Sequence, residues 1–361
     1  MGPAPPGTKT ARPPPEGLAH AHLAPLVSRG VVPSLAWAVV RDQDVAVGGF
    51  GGAAPRTIFQ IGSVTKVITA LLLADMAERG EVNLSDPAAS YLPGPPRNGP
   101  ARNGPPRNGP ALADLATHTS GLPRLPRGLL RSARLHPRDP YARYPPARLV
   151  RDAGRALRAG SPGNPYAYSN FGFGLLGYLL GQAAGTPYEA LVTTRICDPL
   201  GLPDTTFEVP GSSQARKAQG HQRGRPVPDW RLGALAGAGG LYSTATDLAR
   251  FMQTCLAAAA GTGSAQDGPA QDGPARQGPL IPAIRATLTP RLPIPGGEIG
   301  LAWHRTRQGD HSIICHNGMT GGFSAMIALD PAQRLGVAAL ANAAGRPPSP
   351  LDQSVLSAFG S

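Results

Sequence analysis

The strongest constraint on this chain's fold is the placement of its short apolar runs, which gather at the two ends and leave a helical middle between them. Near the start, Ser34–Val40 and Asp44–Phe50 read as two strands around a polar turn. Toward the end, the runs Gly300–Arg305, His311–His316, Phe323–Leu329 and Leu335–Asn342 are separated by turn residues, and a helical pattern follows over Leu351–Phe359. The middle carries helix signals instead: Val64–Arg79 stopped by Gly80, then Asn170–Ala184, Pro187–Cys197 and Thr246–Leu256. Strands from two distant ends bury their apolar faces most simply by joining one sheet. The pattern therefore predicts an α+β fold, with an antiparallel sheet built from both chain ends, flanking helices and a mostly helical domain beside it. The expected division places residues 1–62 and 283–361 in the sheet domain and 63–282 in the helical one, with a ligand cleft between them.

Two low-complexity stretches interrupt this plan. Residues 93–110 repeat Arg-Asn-Gly-Pro, and residues 257–279 repeat Gln-Asp-Gly-Pro-Ala. Proline removes backbone donors and glycine frees the chain, so both read as exposed, flexible insertions rather than elements of the fold. The 361 residues carry a formal net charge of +12, but no aromatic-interleaved basic motif or finger spacing marks a nucleic-acid surface. No apolar run reaches the roughly 18 residues of a membrane span. The three cysteines, Cys197, Cys255 and Cys315, are widely spaced and read as small core residues, neither a disulfide framework nor a zinc site. No metal or organic cofactor is expected. The Pro/Gly/Ala-rich start lacks a signal-peptide apolar region, so the expected location is cytoplasmic. Oligomeric state has no sequence signature here.

The 34 basic residues include only three lysines, Lys9, Lys66 and Lys217. A lysine in a core-like segment of so arginine-rich a chain needs a reason. Lys66 follows Ser63 by three residues, at the start of a helix whose Val64, Val67, Ile68, Leu71 and Leu72 trace an apolar face. A helix N-terminus favours an oxyanion, and a desolvated lysine can become a neutral base for a serine hydroxyl, which arginine cannot. Alone, this pair reads first as an N-capping serine and a snorkelling lysine. A second segment, Tyr168-Ser169-Asn170, joins a Pro/Gly loop to an apolar helix. There Tyr168 could relay a proton and Asn170 hold a carbonyl or the lysine, or Asn170 could simply cap the helix. The third is Cys315-His316-Asn317-Gly318-Met319, a strand end running into glycines. In this reading His316 faces the cleft as a donor, Gly318 permits close approach, and the Met319 N–H joins that of Ser63 around an oxyanion.

Taken in this order, Ser-x-x-Lys, Tyr-x-Asn and His-x-Gly resemble the motifs of the penicillin-recognising serine enzymes, the family of class C β-lactamases, D,D-peptidases and related esterases. Leu115–Pro123, Cys197–Leu202 and Ala238–Phe251 support the likeness, which runs from about Phe59 to Asn342. The resemblance implies a β-lactamase/transpeptidase-like fold and a covalent acyl-enzyme acting on a small-molecule ester or amide. Carried over by motif, Ser63 is the nucleophile, Lys66 its base, Tyr168 the relay, Asn170 a substrate and lysine contact, and His316, Gly318 and Met319 the third motif. The family's lysine-threonine-glycine is replaced by His316-Asn317-Gly318, which weighs against β-lactam hydrolysis and D,D-carboxypeptidase activity. A serine hydrolase of esters or amides is the first expectation. A biosynthetic acyltransferase passing the acyl group to an amine or alcohol is the second, and a silent binding protein the third.

Overall fold

The computed structural model describes residues 13–93, 109–127, 129, 135–136, 138–141, 143–159, 164–261, 278–345 and 348–360. Most of both expected insertions, and the first twelve residues, lie outside the described residues.

In chain order the strands are β1 (Leu35–Arg41), β2 (Asp44–Phe50), the two-residue β3 (Phe59–Gln60), β4 (His221–Gln222), β5 (Arg225–Pro226) and β6 (Tyr242–Ser243). There follow β7 (Leu292–Ile294), β8 (Gly297–Ile299), β9 (His304–Gln308), β10 (His311–Met319), β11 (Ser324–Asp330) and β12 (Leu335–Ala341). Eight of them form one sheet in the order β2-β1-β12-β11-β10-β9-β8-β7. Every pairing in it is antiparallel, and β1 against β12, Trp37 opposite Ala339, joins the two chain ends.

Both faces of this sheet are covered, so its central strands read as continuous apolar runs rather than alternating ones. Ala36, Ala38, Val40, Ile327 and Leu340 pack on one side with the helix Ala245–Ala260. Leu35, Trp37, Val39, Ala328 and Val337 pack on the other with residues of the N-terminal helix Pro15–His22 and the C-terminal helix Pro350–Ser357. The predicted strand over Gly300–Arg305 is corrected: residues 300–303 form a bend, with Ala302 at φ 68°, and the strand begins at His304. The β7–β8 hairpin and the amphipathic helix Pro146–Ala159 also escape the pattern reading.

The helix Thr65–Glu78 is buried from Thr65 to Met76 on every side, not on one face only, because it packs against the helices Asn170–Ala184 and Ile281–Leu288 as well as the core. Arg79 caps it and Gly80 leaves at φ 71°, as the sequence predicts. Ahead of it, Gly62–Val64 form a tight 3-10 turn that holds Ser63. The three cysteines are free and buried. Among the described residues no helix is long and apolar enough to cross a membrane.

Candidate active site

Ser63 sits at the floor of a cleft of about 470 Å3, lined also by Tyr168, Asn170, Gly318 and Met319. Lys66 lies directly beneath and is fully buried. Its Nζ donates to Ser63 Oγ at 2.9 Å, to Asn170 Oδ1 at 2.9 Å and to the Ala238 carbonyl at 2.6 Å. Desolvation first, and the cation of Arg124 second, hold its pKa well below the ordinary lysine value. The partner set suits either protonation state. An ammonium has three protons for three acceptors, while a neutral amine gives two protons to the two carbonyl oxygens and turns its lone pair toward the Ser63 hydroxyl.

Tyr168 flanks the pair from the other side. Its hydroxyl is hydrogen-bonded to Ser63, its ring lies 4.9 Å from Lys66 Nζ, and burial pushes the phenol pKa up so that it stays protonated. The loop that presents it is tied down at several points. Ser169, rather than Asn170, caps the helix Asn170–Ala184, accepting from the Gly172 N–H at 2.8 Å while its hydroxyl donates to the Pro123 carbonyl at 2.7 Å. That leaves the Asn170 side chain free for Lys66. Ser169→Ala is expected to cost about 1–2 kcal/mol of stability, read from urea unfolding.

His118 is a buried histidine with φ 60° whose Nδ1 accepts the Ser169 N–H at 3.0 Å. Its ring packs 4.4 Å from that of Tyr168. Burial, then the nearby Lys66, keeps it neutral by lowering its pKa.

On the opposite wall, β10 comes so close to the Ser63 turn that only glycine fits. A Cβ on Gly318 would stand 2.0 Å from the Ile61 carbonyl oxygen and 3.0 Å from the Ser63 nitrogen. One on Gly62, itself at φ 49°, would stand 2.6 Å from the Met319 nitrogen. The two bare backbones thus bring the Ser63 and Met319 amides to one end of the cleft.

His316 does not face the cleft as the sequence reading expects. It is buried behind the wall, with Nδ1 donating to the Asn317 carbonyl at 2.7 Å and a ring 5.4 Å from that of His304. Its pKa is lowered by burial and then by His304 and Lys66. The neighbouring strand supplies the reason: the ring of His304, the first residue of β9, occupies the cleft surface in front of His316. His304 accepts or donates at 2.8 Å with the Tyr166 hydroxyl, and burial holds its pKa down at about 4.

Among the charged and aromatic side chains of the cleft, the pattern reading misses Arg124, Tyr141, Tyr166, Trp230 and His304. Arg124 was within reach of it, standing one residue beyond the Leu115–Pro123 stretch. Among the described residues, no group of three or more His, Cys, Asp or Glu side chains could hold a metal ion.

A family model described as Beta-lactamase matches residues 19–358. The chain belongs to the beta-lactamase family of serine hydrolases. Among its family relatives, the D-alanyl-D-alanine-carboxypeptidase/endopeptidase AmpH of Escherichia coli is 33% identical over 287 residues, covering 78% of this chain and 69% of AmpH. A Beta-lactamase of Pseudomonas fluorescens is 28% identical over 363 residues, covering 88% and 90% of the two chains. The crystal structure of a class C beta lactamase from Rhodobacter sphaeroides superposes with a TM-score of 0.74 at 24% identity, over 95% of this chain and 99% of that one. That likeness establishes the family's α+β fold, with its large antiparallel sheet and flanking helices.

Proposed function

We propose that this family member cleaves a small-molecule ester or amide through an acyl-enzyme on Ser63. The observation that carries the reading is the buried Lys66 amine 2.9 Å from Ser63 Oγ, held toward its neutral form by desolvation. In the acylation step the lone pair of Lys66 Nζ takes the Ser63 proton as Oγ bonds to the substrate carbonyl carbon. Asn170 and Ala238 keep their places around the new ammonium, so no rearrangement is required. The carbonyl oxygen gains the charge and lies between the Ser63 and Met319 N–H groups, preorganised donors whose field costs nothing to reorganise. Tyr168, a phenol kept protonated by burial, gives its proton to the leaving group and recovers one from Lys66 through the contacts around Ser63. Deacylation reverses the roles with water as the second nucleophile.

Asn170 accepts from Lys66 through Oδ1 and donates one amide proton to the Tyr141 hydroxyl, which leaves the other for a substrate carbonyl. Gly318 acts by absence, clearing room for the Met319 amide. His316 supports the wall rather than touching the substrate, and His118 positions Tyr168.

The test is intact-mass spectrometry with p-nitrophenyl esters and with a penicillin, followed by peptide mapping. The expected result is an ester-derived acyl adduct on the Ser63 peptide that clears in water, with slower labelling by the penicillin. An adduct mapping to any other peptide overturns the assignment. Capture of the adduct by an added amine faster than by water would make the protein an acyltransferase instead.

A further inference from the structure

The strand that carries the Met319 amide holds a side chain that the chemistry above does not use. Along β10 alternate residues face opposite sides of the sheet, and Ile313 and Cys315 pack on the side of the C-terminal helix Pro350–Ser357, with its Leu351 and Val355. Asn317 is next in that row, and its amide reaches the same helix: Nδ2 donates to Asp352 Oδ2 at 3.1 Å. Among the described residues this is the only hydrogen bond by which a side chain of 316–319 reaches another element. Past Cys315 the backbone ladder of β10 runs on one edge only, with Gly318 opposite Ala325 and Met319 opposite Ser324 of β11.

Asp352 is well placed as a fixed point. It is only 5% exposed, and the Oδ2 that takes the Asn317 proton also takes the Ser349 N–H at 2.8 Å, while the Asp352 N–H donates to Ser349 Oγ at 3.2 Å. These reciprocal bonds close the first turn of the helix as a capping box, and Leu351 and Val355 seat that turn against the sheet. A carboxylate with so little water around it holds its donors firmly, because an unmet acceptor there carries the full cost of its lost hydration. The helix cap therefore grips β10 two residues ahead of Met319, on the face opposite the close approach of Gly318 to Ile61.

We propose that Asp352 is a positioning residue for acyl transfer, holding the Met319 amide at the oxyanion through Asn317. The inference rests on the acyl-Ser63 reading and adds to it a residue outside the lining of the cleft. Asn317 stands where the family's lysine-threonine-glycine has its threonine, and here its amide serves the wall. Without that bond the strand end keeps its β11 ladder but loses its tie to the helix, and the Met319 amide is free to rock about the ladder and leave its place beside the Ser63 N–H.

The experiment measures kcat and KM for p-nitrophenyl acetate across pH, after subtracting spontaneous hydrolysis, under conditions where urea unfolding shows each protein folded. It compares wild type, Asn317→Leu, Asn317→Asp, the exchange Asn317→Asp with Asp352→Asn, and Ser63→Ala. Asn317→Leu is expected to lower kcat about tenfold with KM within about twofold, less than the outright removal of an oxyanion donor because the amide is displaced and not lost. Asn317→Asp sets two carboxylates face to face and falls at least as far at about pH 9. The exchange restores the bond with donor and acceptor reversed, the asparagine on the helix donating to the aspartate on the strand while its Oδ1 still takes the Ser349 N–H. Its kcat returns to within about threefold of wild type, a recovery that a merely loosened sheet would not show. The acid limb of the pH profile stays in place throughout, because Lys66 lies on the other wall. Wild-type kcat in Asn317→Leu, a loss confined to KM, a moved acid limb, or an exchange no faster than Asn317→Asp overturns the inference and leaves the acyl-Ser63 reading standing. If Asn317→Asp does not fold, the exchange is set against Asn317→Leu on the same terms. No Ser63-dependent turnover in wild type overturns both readings together.

Discussion

Lys66→Arg is expected to lose acylation nearly as completely as Lys66→Ala, by about 10²- to 10⁴-fold in kcat/KM for a neutral ester, the range of a missing general base. A guanidinium keeps its proton at any working pH, so it cannot accept one from Ser63. It is also planar and larger than the pocket that places Asn170 Oδ1 and the Ala238 carbonyl 2.9 and 2.6 Å from Nζ. If Lys66 served only as a structural cation, the arginine variant would keep most of its rate. Ser63→Ala, run beside it, is expected to abolish the acyl adduct.

The pH profile carries the same argument with a definite sign. Only the neutral amine works as the base, so kcat/KM falls as pH drops through the Lys66 pKa. Burial lowers that pKa, so the acid limb has its midpoint well below 10.5, the value of an ordinary lysine. Burial raises the Tyr168 pKa above 10.0, the value of an ordinary tyrosine, so loss of the phenol proton does not cut the rate below about pH 10. Stability is linked in the corresponding direction. Between the lowered folded-state pKa and 10.5 the unfolded chain binds the extra proton, so unfolding free energy rises with pH there by up to about 1.4 kcal/mol per unit. Lys66→Met removes this slope, which urea unfolding at several pH values would reveal. A variant with the same slope as wild type would place Lys66 in its charged form.

Ser63, Lys66 and Asn170 were legible because each belongs to a local pattern that physics reads directly. Three residues along one helix bring Ser63 and Lys66 together, and a lysine in an arginine-rich chain signals that its removable proton matters. The joining of both chain ends was legible too, since apolar runs covered on two faces need partners that only the far end supplies. The cleft wall was not. His304 lines the cleft from the first residue of β9, directly after the bend at 300–303, a placement that no motif marks. The His304 ring, 5.4 Å away, covers His316, whose place in the third motif suggested the opposite. The capping role passed from Asn170 to Ser169 by one residue, a shift within the ordinary uncertainty of a helix start but large in meaning, since it frees the amide that Lys66 uses.

Gly318→Ala is expected to cut kcat/KM by about 10²- to 10³-fold, as loss of an oxyanion donor does, while Ser63 and Lys66 remain 2.9 Å apart. The added methyl would fall 2.0 Å from the Ile61 carbonyl oxygen, a backbone atom that cannot rotate away as a flexible side chain could. Either β10 or the Gly62–Val64 turn must therefore move, and each carries one of the two amides. The turn is the less free to go. The Ile61 N–H is bonded to the Leu241 carbonyl at 3.0 Å, and Thr65 Oγ1 accepts the Leu241 N–H at 3.1 Å. Beyond Cys315 the backbone of β10 pairs with β11 alone, because β9 stops there, and the Asn317 side chain adds one bond to Asp352 at 3.1 Å. The strand end gives way, the Met319 amide withdraws, and the rate falls with the base still in place. Alanine in this variant thus separates the two halves of catalysis: its residual rate should keep the wild-type acid limb, because Lys66 is untouched. A Gly318→Ala enzyme at full rate would remove the Met319 amide from the mechanism, whereas a lost acid limb would show that the turn, and Lys66 with it, had moved instead.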